Sequence, residues 1–441
     1  MEFKLSKESL LKVSLGSALF ALIMGVMAIS VTLFCRVAGG QDYLDLYYWS
    51  LSAHGLSMLV LWVPSIVAYF YINQNTEILE NKKMTSFLFF GLSLFVFSQF
   101  GIFISYFFLQ ATRLTPFILT PNSRVSAFFL LLNTFSQVII FSTLSFAFVE
   151  LLKNTKVKNK RFVLYVGAFT TLTMAINATF SHVFLQRGFL SDEWSQHLWL
   201  PLGHFSMQAV TMTLFALWST HFFENQEWLY RTRLFLFIGY PVFVFLGYLN
   251  LFPELLKTNE VGHWDDHYVW IPAISSLFLT LLFIFSIFRF FKKENLFYLI
   301  SFLMFSVVGG LTGLEIATDL LFKTRVLGTL FMPGHFHPLL LGGFTFSMLV
   351  YLLSNIQALK AQAHKFSRFF LWSLFLGVLS FSSFLMYLGL DRSLRRHPVL
   401  ADVRFHNLSW VLLGLAGLAV VSLLFLVSRI VVLKFKNYRK I

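Results

Sequence analysis

The chain has 441 residues, of which 57% are hydrophobic and only 12% charged, with a net charge of +14 and a mean hydropathy of +0.73. These values exclude a water-soluble globular protein, and apolar runs that repeatedly exceed about 18 residues read as membrane spans. A single cysteine, Cys35, excludes an intrachain disulfide and any zinc or iron-sulfur site built from several thiolates.

Taken in order, Lys4, Lys7 and Lys12 precede a long apolar run that lacks a small-residue cleavage pattern, which predicts a retained first helix near 11–34 rather than a removed signal peptide. Further helices are expected near 50–71, 86–110, 123–151, 163–186 and 198–221. A second group of six follows near 233–253, 268–291, 295–317, 326–355, 367–389 and 408–433. The expected architecture is therefore an all-α integral membrane protein of twelve transmembrane helices, a single polytopic membrane domain over 1–441. Connecting segments are too short to house a soluble domain, no low-complexity linker appears, and the second six spans do not repeat the first at the residue level. About two thirds of the 34 Lys and Arg fall on the side shared by both termini, which places both ends in the cytoplasm. The runs of positive charge, such as 153–162, read as topology and anionic lipid contact; there is no nucleic-acid signal.

Three histidines stand inside apolar segments. His54, in YYWSLSAHGLSMLVLW, lies a few residues into a helix among Leu, Met and Val, where an unpaired imidazole loses its hydration without return. His335 and His337 lie in FMPGHFHPLLLGG. At about 100° per residue, positions i and i+2 point about 200° apart, so this pair cannot serve one metal. Two imidazoles on opposite faces of a buried helix suit two separate cofactors, and iron porphyrin is the apolar, His-ligated cofactor that fits between transmembrane helices; the plainer reading is a pair of packing histidines. His221, His364, His397 and His406 lie at span ends and read as interfacial.

With these motifs in order, the chain resembles the main subunit of the haem-copper oxygen reductases and their nitric oxide reductase relatives. The resemblance extends over nearly the whole length: twelve spans, the HG of the second helix at His54 and Gly55, the HFH of the tenth at 335–337, and an arginine pair, Arg395 and Arg396, before the last helix. It implies a subunit I-like bundle in which His54 and His337 are the axial ligands of a low-spin haem and His335 that of a high-spin haem. Arg395 and Arg396 would hold propionates, and their loop, 390–407, carries four arginines on the side that should be poor in positive charge. The resemblance further implies two haems, b type most naturally, a small gas ligand, and electron transport in the respiratory chain of a bacterial cytoplasmic membrane. It also implies an electron-donating membrane or cytochrome c subunit as partner, since the chain has no CxxCH motif.

The family's second metal is where the sequence departs from the pattern. His204, after Gly203, aligns with one of its three histidines, but the position four residues on is Gln208, where the oxygen reductases carry tyrosine and the nitric oxide reductases glutamate. The adjacent histidine pair of the seventh helix is absent near Tyr248, Leu249 and Asn250. His263 and His267 have i, i+4 spacing with two aspartates between them, and His182 and His197 flank another outer loop. A copper or non-haem iron site is expected to be weak, and proton pumping is not expected, because the acids nearest the interior are Glu315 and Asp319 at the outer end of the ninth helix. Three classes stay open: an oxidoreductase reducing oxygen or nitric oxide, a non-catalytic electron-transfer or gas-binding cytochrome of the same descent, and a membrane protein without haem. No catalytic residue is assigned.

Overall fold

A computed structural model describes residues 7–37, 44–108, 124–156, 158–186, 207, 209–218, 296–318, 329–355, 364–391 and 406–437. Among them the regular structure is helical, and nine helices are long and apolar enough to cross a membrane. The protein is a multi-pass integral membrane protein. Of the twelve expected spans, those near 233–253 and 268–291 lie outside the described residues, and of 198–221 the helix Ala209–Trp218 is described.

The helices run past the apolar windows that predict them. The first spans Lys7–Val37 and the last His406–Asn437. Hydropathy marks only the stretch that needs lipid, whereas the helix continues into the headgroup layer wherever polar residues support it. At the first helix, Lys12 Nζ meets Glu8 Oε1 one turn earlier at 2.7 Å, and Lys7 pairs with Glu80 at 3.7 Å.

The described residues gather into two compact units. One holds the first helix to Thr32 together with the described helices from Asp45 to Trp218; the other holds residues 33–37, Leu44 and the described helices from Leu296 onward.

In the first unit, the second span is continuous but not uniform. Leu44–Gly55 is α-helical, Leu56–Trp62 forms a wider π-helical turn, and Val63–Gln74 is α-helical again. Val63 N–H donates to Met58 O, five residues back rather than four. Pro64 accounts for the local departure: it has no N–H, so the carbonyl four residues earlier, Val60 O, loses its α-helical donor. Within a membrane no water replaces it. Instead Gln137, nearly fully buried on the Arg124–Asn154 helix, donates from Nε2 to Val60 O at 3.1 Å. The same amide reaches Asn133 Oδ1 at 2.7 Å, and Asn133 donates to Ser98 Oγ at 2.9 Å. A second buried cluster ties Ser17 Oγ to Gln99 Oε1 at 2.8 Å and Gln99 Nε2 to Ser65 Oγ at 3.3 Å. Between helices that gain nothing from hiding apolar surface in lipid, such neutral hydrogen bonds add to van der Waals packing in joining them.

Replacing Gln137 by leucine is expected to destabilise the protein by about 1–3 kcal/mol, the cost of orphaning a part-buried carbonyl inside a membrane span. In a Pro64→Ala background, where residue 64 regains an N–H, the cost should shrink. Thermal unfolding in detergent of the two single variants and the double variant checks this; strictly additive losses would disprove the link between Pro64 and Gln137.

The second unit repeats the device twice. Leu296–Phe302 and Gly310–Thr318 flank a π-helical turn at Leu303–Gly309, and Phe331–His337 and Phe346–Asn355 flank another at Pro338–Thr345. Pro338 again withholds an N–H at the start of the turn, and Phe346 N–H reaches back five residues to Leu341 O. The two wide turns pack against each other through glycine: a Cβ on Gly309 would lie 2.3 Å from Leu339 Cδ2, and one on Gly343 would lie 2.6 Å from Phe305 Cβ. Helix His364–Leu390 packs on Phe331–His337 equally closely, since a Cβ on Gly389 would lie 2.0 Å from Phe331 N.

Candidate functional site

The motif FMPGHFH forms the short helix Phe331–His337, and its two imidazoles meet different neighbours. His335 turns to the segment Gly310–Thr318, where its Nδ1 lies 2.9 Å from Thr312 Oγ1. The ring has room there because residue 313 is glycine; a Cβ on Gly313 would lie 2.8 Å from His335 Cε1. His337 instead meets Phe381 of the His364–Leu390 helix, ring centroids 5.0 Å apart and planes 83° apart. This edge-to-face arrangement fixes the plane of the imidazole.

Hydrogen bonding decides which nitrogen of each ring carries the proton. His337 Nδ1 lies 2.5 Å from Pro333 O, one turn earlier in its own helix. A carbonyl oxygen only accepts, so Nδ1 carries the hydrogen, and the neutral ring holds its in-plane lone pair on Nε2. For His335 the same result follows from a relay. Thr312 Oγ1 lies 2.6 Å from Val308 O and 2.9 Å from His335 Nδ1; with its one hydroxyl hydrogen on Val308 O, its oxygen accepts from His335 Nδ1–H.

His54, the last but one residue of Leu44–Gly55, belongs to the first unit and is half-buried. Its Nδ1 lies 2.8 Å from Gly25 O on the first helix, again an oxygen that only accepts. The first and second spans come close at this level, as a Cβ on Gly25 would lie 2.7 Å from Met58 Sδ. His54, His335 and His337 therefore share one chemistry: Nδ1–H is anchored to an oxygen, and Nε2 is the basic nitrogen. Each also adjoins a π-helical turn, at 56–62 or 338–345, and Thr312 follows the one at 303–309. Such turns leave the α register and re-aim the side chains around them.

His182 is the fourth histidine in this tautomer. It is half-buried on the Lys158–Gln186 helix, its Nδ1 lying 3.1 Å from Leu131 O and 2.9 Å from Thr134 Oγ1, with the Phe135 ring alongside. Its Nδ1 edge thus faces the Arg124–Asn154 helix. Glu315 is fully buried, one turn beyond Thr312. Among the described residues, no group of three or more His, Cys, Asp or Glu is close enough to hold a metal ion. His204, Gln208, Arg395 and Arg396 lie outside the residues whose side chains are described, as do His197, His263, His267, Asp319 and the segment around Tyr248, Leu249 and Asn250.

Reading the sequence alone misses the partners of the histidines: Gly25 O, Thr312, Gly313 and Phe381. Pro338 directly after His337, and the glycine pairs at 309–310 and 342–343, were the only local signals that the helices here depart from regular form.

No protein-family model matches the chain, and no curated protein matches it.

Proposed function

We propose that this protein is a haem-bearing membrane oxidoreductase subunit resembling subunit I of the haem-copper terminal oxidases and nitric oxide reductases. In this reading electrons pass from a low-spin haem to a modified high-spin haem that takes a small gas. The observation that carries it is the shared state of the three motif histidines, each anchored at Nδ1 so that Nε2 is the donor nitrogen. An axial imidazole needs this arrangement, because the anchor sets tautomer and ring orientation and raises ligand basicity. Neutral nitrogens set among apolar helices suit an iron porphyrin better than a hydrated divalent ion.

His337 would be one axial ligand of the low-spin haem, its ring plane held by Phe381 and Pro333 O. Its pairing with His54 is supported by the sequence resemblance. His335 would be the sole protein ligand of the high-spin haem, with Arg395 and Arg396 as propionate partners. When bound, the two haems supply one-electron storage where two imidazoles bind and an open iron position where only one does.

The copper or non-haem iron of the family is not part of this reading, because one aligned imidazole, His204, and the neutral Gln208 make a poor divalent site. That deficit favours the second reading, a gas-binding or electron-transfer cytochrome without rapid turnover. Both readings place the chain in a bacterial cytoplasmic membrane with its termini inside, fed by a separate cytochrome c or membrane subunit.

Haem and metal content of the purified chain tests the proposal. Two haem irons per chain and substoichiometric copper are expected. A colourless preparation would refute both readings, and one tightly held non-haem metal per chain, lost on His204→Ala, would restore the complete catalytic site.

A further inference from the structure

We propose that Thr312 is a positioning residue for His335 that sets the electron density of its imidazole, and with it the redox poise of the iron His335 would hold. The proposal rests on the reading of His335 as a haem ligand. Thr312 Oγ1 lies 2.6 Å from Val308 O and 3.1 Å from Gly309 O, both within the wide turn at 303–309. Neither carbonyl can donate; with the hydroxyl hydrogen held by its own helix, the oxygen accepts from His335 Nδ1–H at 2.9 Å. A hydroxyl that is itself donating is a better acceptor, because chains of hydrogen bonds polarise one another.

The three candidate ligands differ in one respect. His54 and His337 are anchored on backbone carbonyls, Gly25 O and Pro333 O, which no side-chain substitution removes. His335 is anchored on a side chain, which leaves its basicity open to tuning by a single residue. Gly313 supports the same geometry. A Cβ there would lie 2.8 Å from His335 Cε1, so a larger residue would press the ring out of its place beside Thr312.

Donation from Nδ1–H shifts electron density toward Nε2, which strengthens the bond to iron and favours the ferric state. Thr312→Val keeps the shape and removes the acceptor. Resonance Raman spectra of the reduced, full-length protein should then show the iron–histidine stretch moved to lower wavenumber. Redox titration should show the ferrous to ferric ratio of the high-spin haem, at a fixed ambient potential, raised roughly fivefold to tenfold, since hydrogen bonds to charged partners are about twice as strong as neutral ones. Thr312→Ser, which restores the hydroxyl, should return both signals to their original values, and the low-spin haem should not move. Should the valine variant not accumulate, Thr312→Cys reads the same shift, because sulfur is a weak acceptor of nearly the same size.

Original values of both signals in Thr312→Val or Thr312→Cys, in a protein whose stretch disappears on His335→Ala, would overturn the proposal while leaving the ligand intact. A stretch that is absent from the original protein, or that survives His335→Ala, would overturn the ligand reading and this proposal with it.

Discussion

Replacing His335 with alanine is expected to abolish the binding of carbon monoxide and nitric oxide while leaving the low-spin spectrum in place. The reason is geometric. His335 and His337 are only two positions apart, yet one ring rests on Thr312 and Gly313 and the other on Phe381 of a different helix. Removing the first imidazole deprives the gas-binding iron of its only proposed protein ligand without touching the surroundings of the second. The hole left behind borders Gly313 and costs stability, so the accumulated protein should be compared with His335→Gln, which retains more volume. Photolysis difference spectra of the carbon monoxide adduct give the readout. Simultaneous loss of both haems from a protein that is still folded would rule out two separate cofactors.

The second large effect is expected at the proposed low-spin centre. His337→Ala should eliminate the six-coordinate spectrum, and so should His54→Ala, because a haem with one imidazole cannot retain the low-spin state set by two. The two substitutions test different supports. His54 is oriented by Gly25 O of the first helix, whereas His337 is oriented within its own helix by Pro333 O and across to the next by Phe381. Phe381→Leu should therefore loosen the His337 ring and broaden the low-spin signal without removing it. A reduced spectrum identical in all three variants would dismiss this centre, and electron paramagnetic resonance of the oxidised protein decides the matter.

Much of the membrane architecture was legible in the sequence because it follows from composition along one dimension. A helix must present about 20 apolar residues to lipid, so nine of the expected spans reappear as helices at nearly the same positions, displaced only at their polar ends. The candidate ligands were legible for a related reason: an imidazole deep in an apolar run is costly enough to need an explanation. The wide turns were not legible. Pro64 and Pro338 announce a missing donor, but a proline can kink a helix, end it or widen it, and the sequence does not choose. At Val60 the choice follows from Gln137, 77 residues away in the chain, which supplies the donor that Pro64 lacks.

The division at the candidate site is of the same kind. By itself, the sequence determined the class of protein, the approximate spans and the presence of three intramembrane imidazoles, all of which depend on local hydropathy and spacing. Tertiary structure decided which oxygen the Nδ1 of His54 and of His335 meets, and hence which nitrogen is basic, whereas His337 meets Pro333 O one turn back in its own helix. Thr312 is separated from His335 by 23 residues and Gly25 from His54 by 29, so each pairing arises only when separate helices pack. In lipid an unmatched donor has no water to turn to, and the neighbouring helix that presents an oxygen therefore sets the chemistry of the ring.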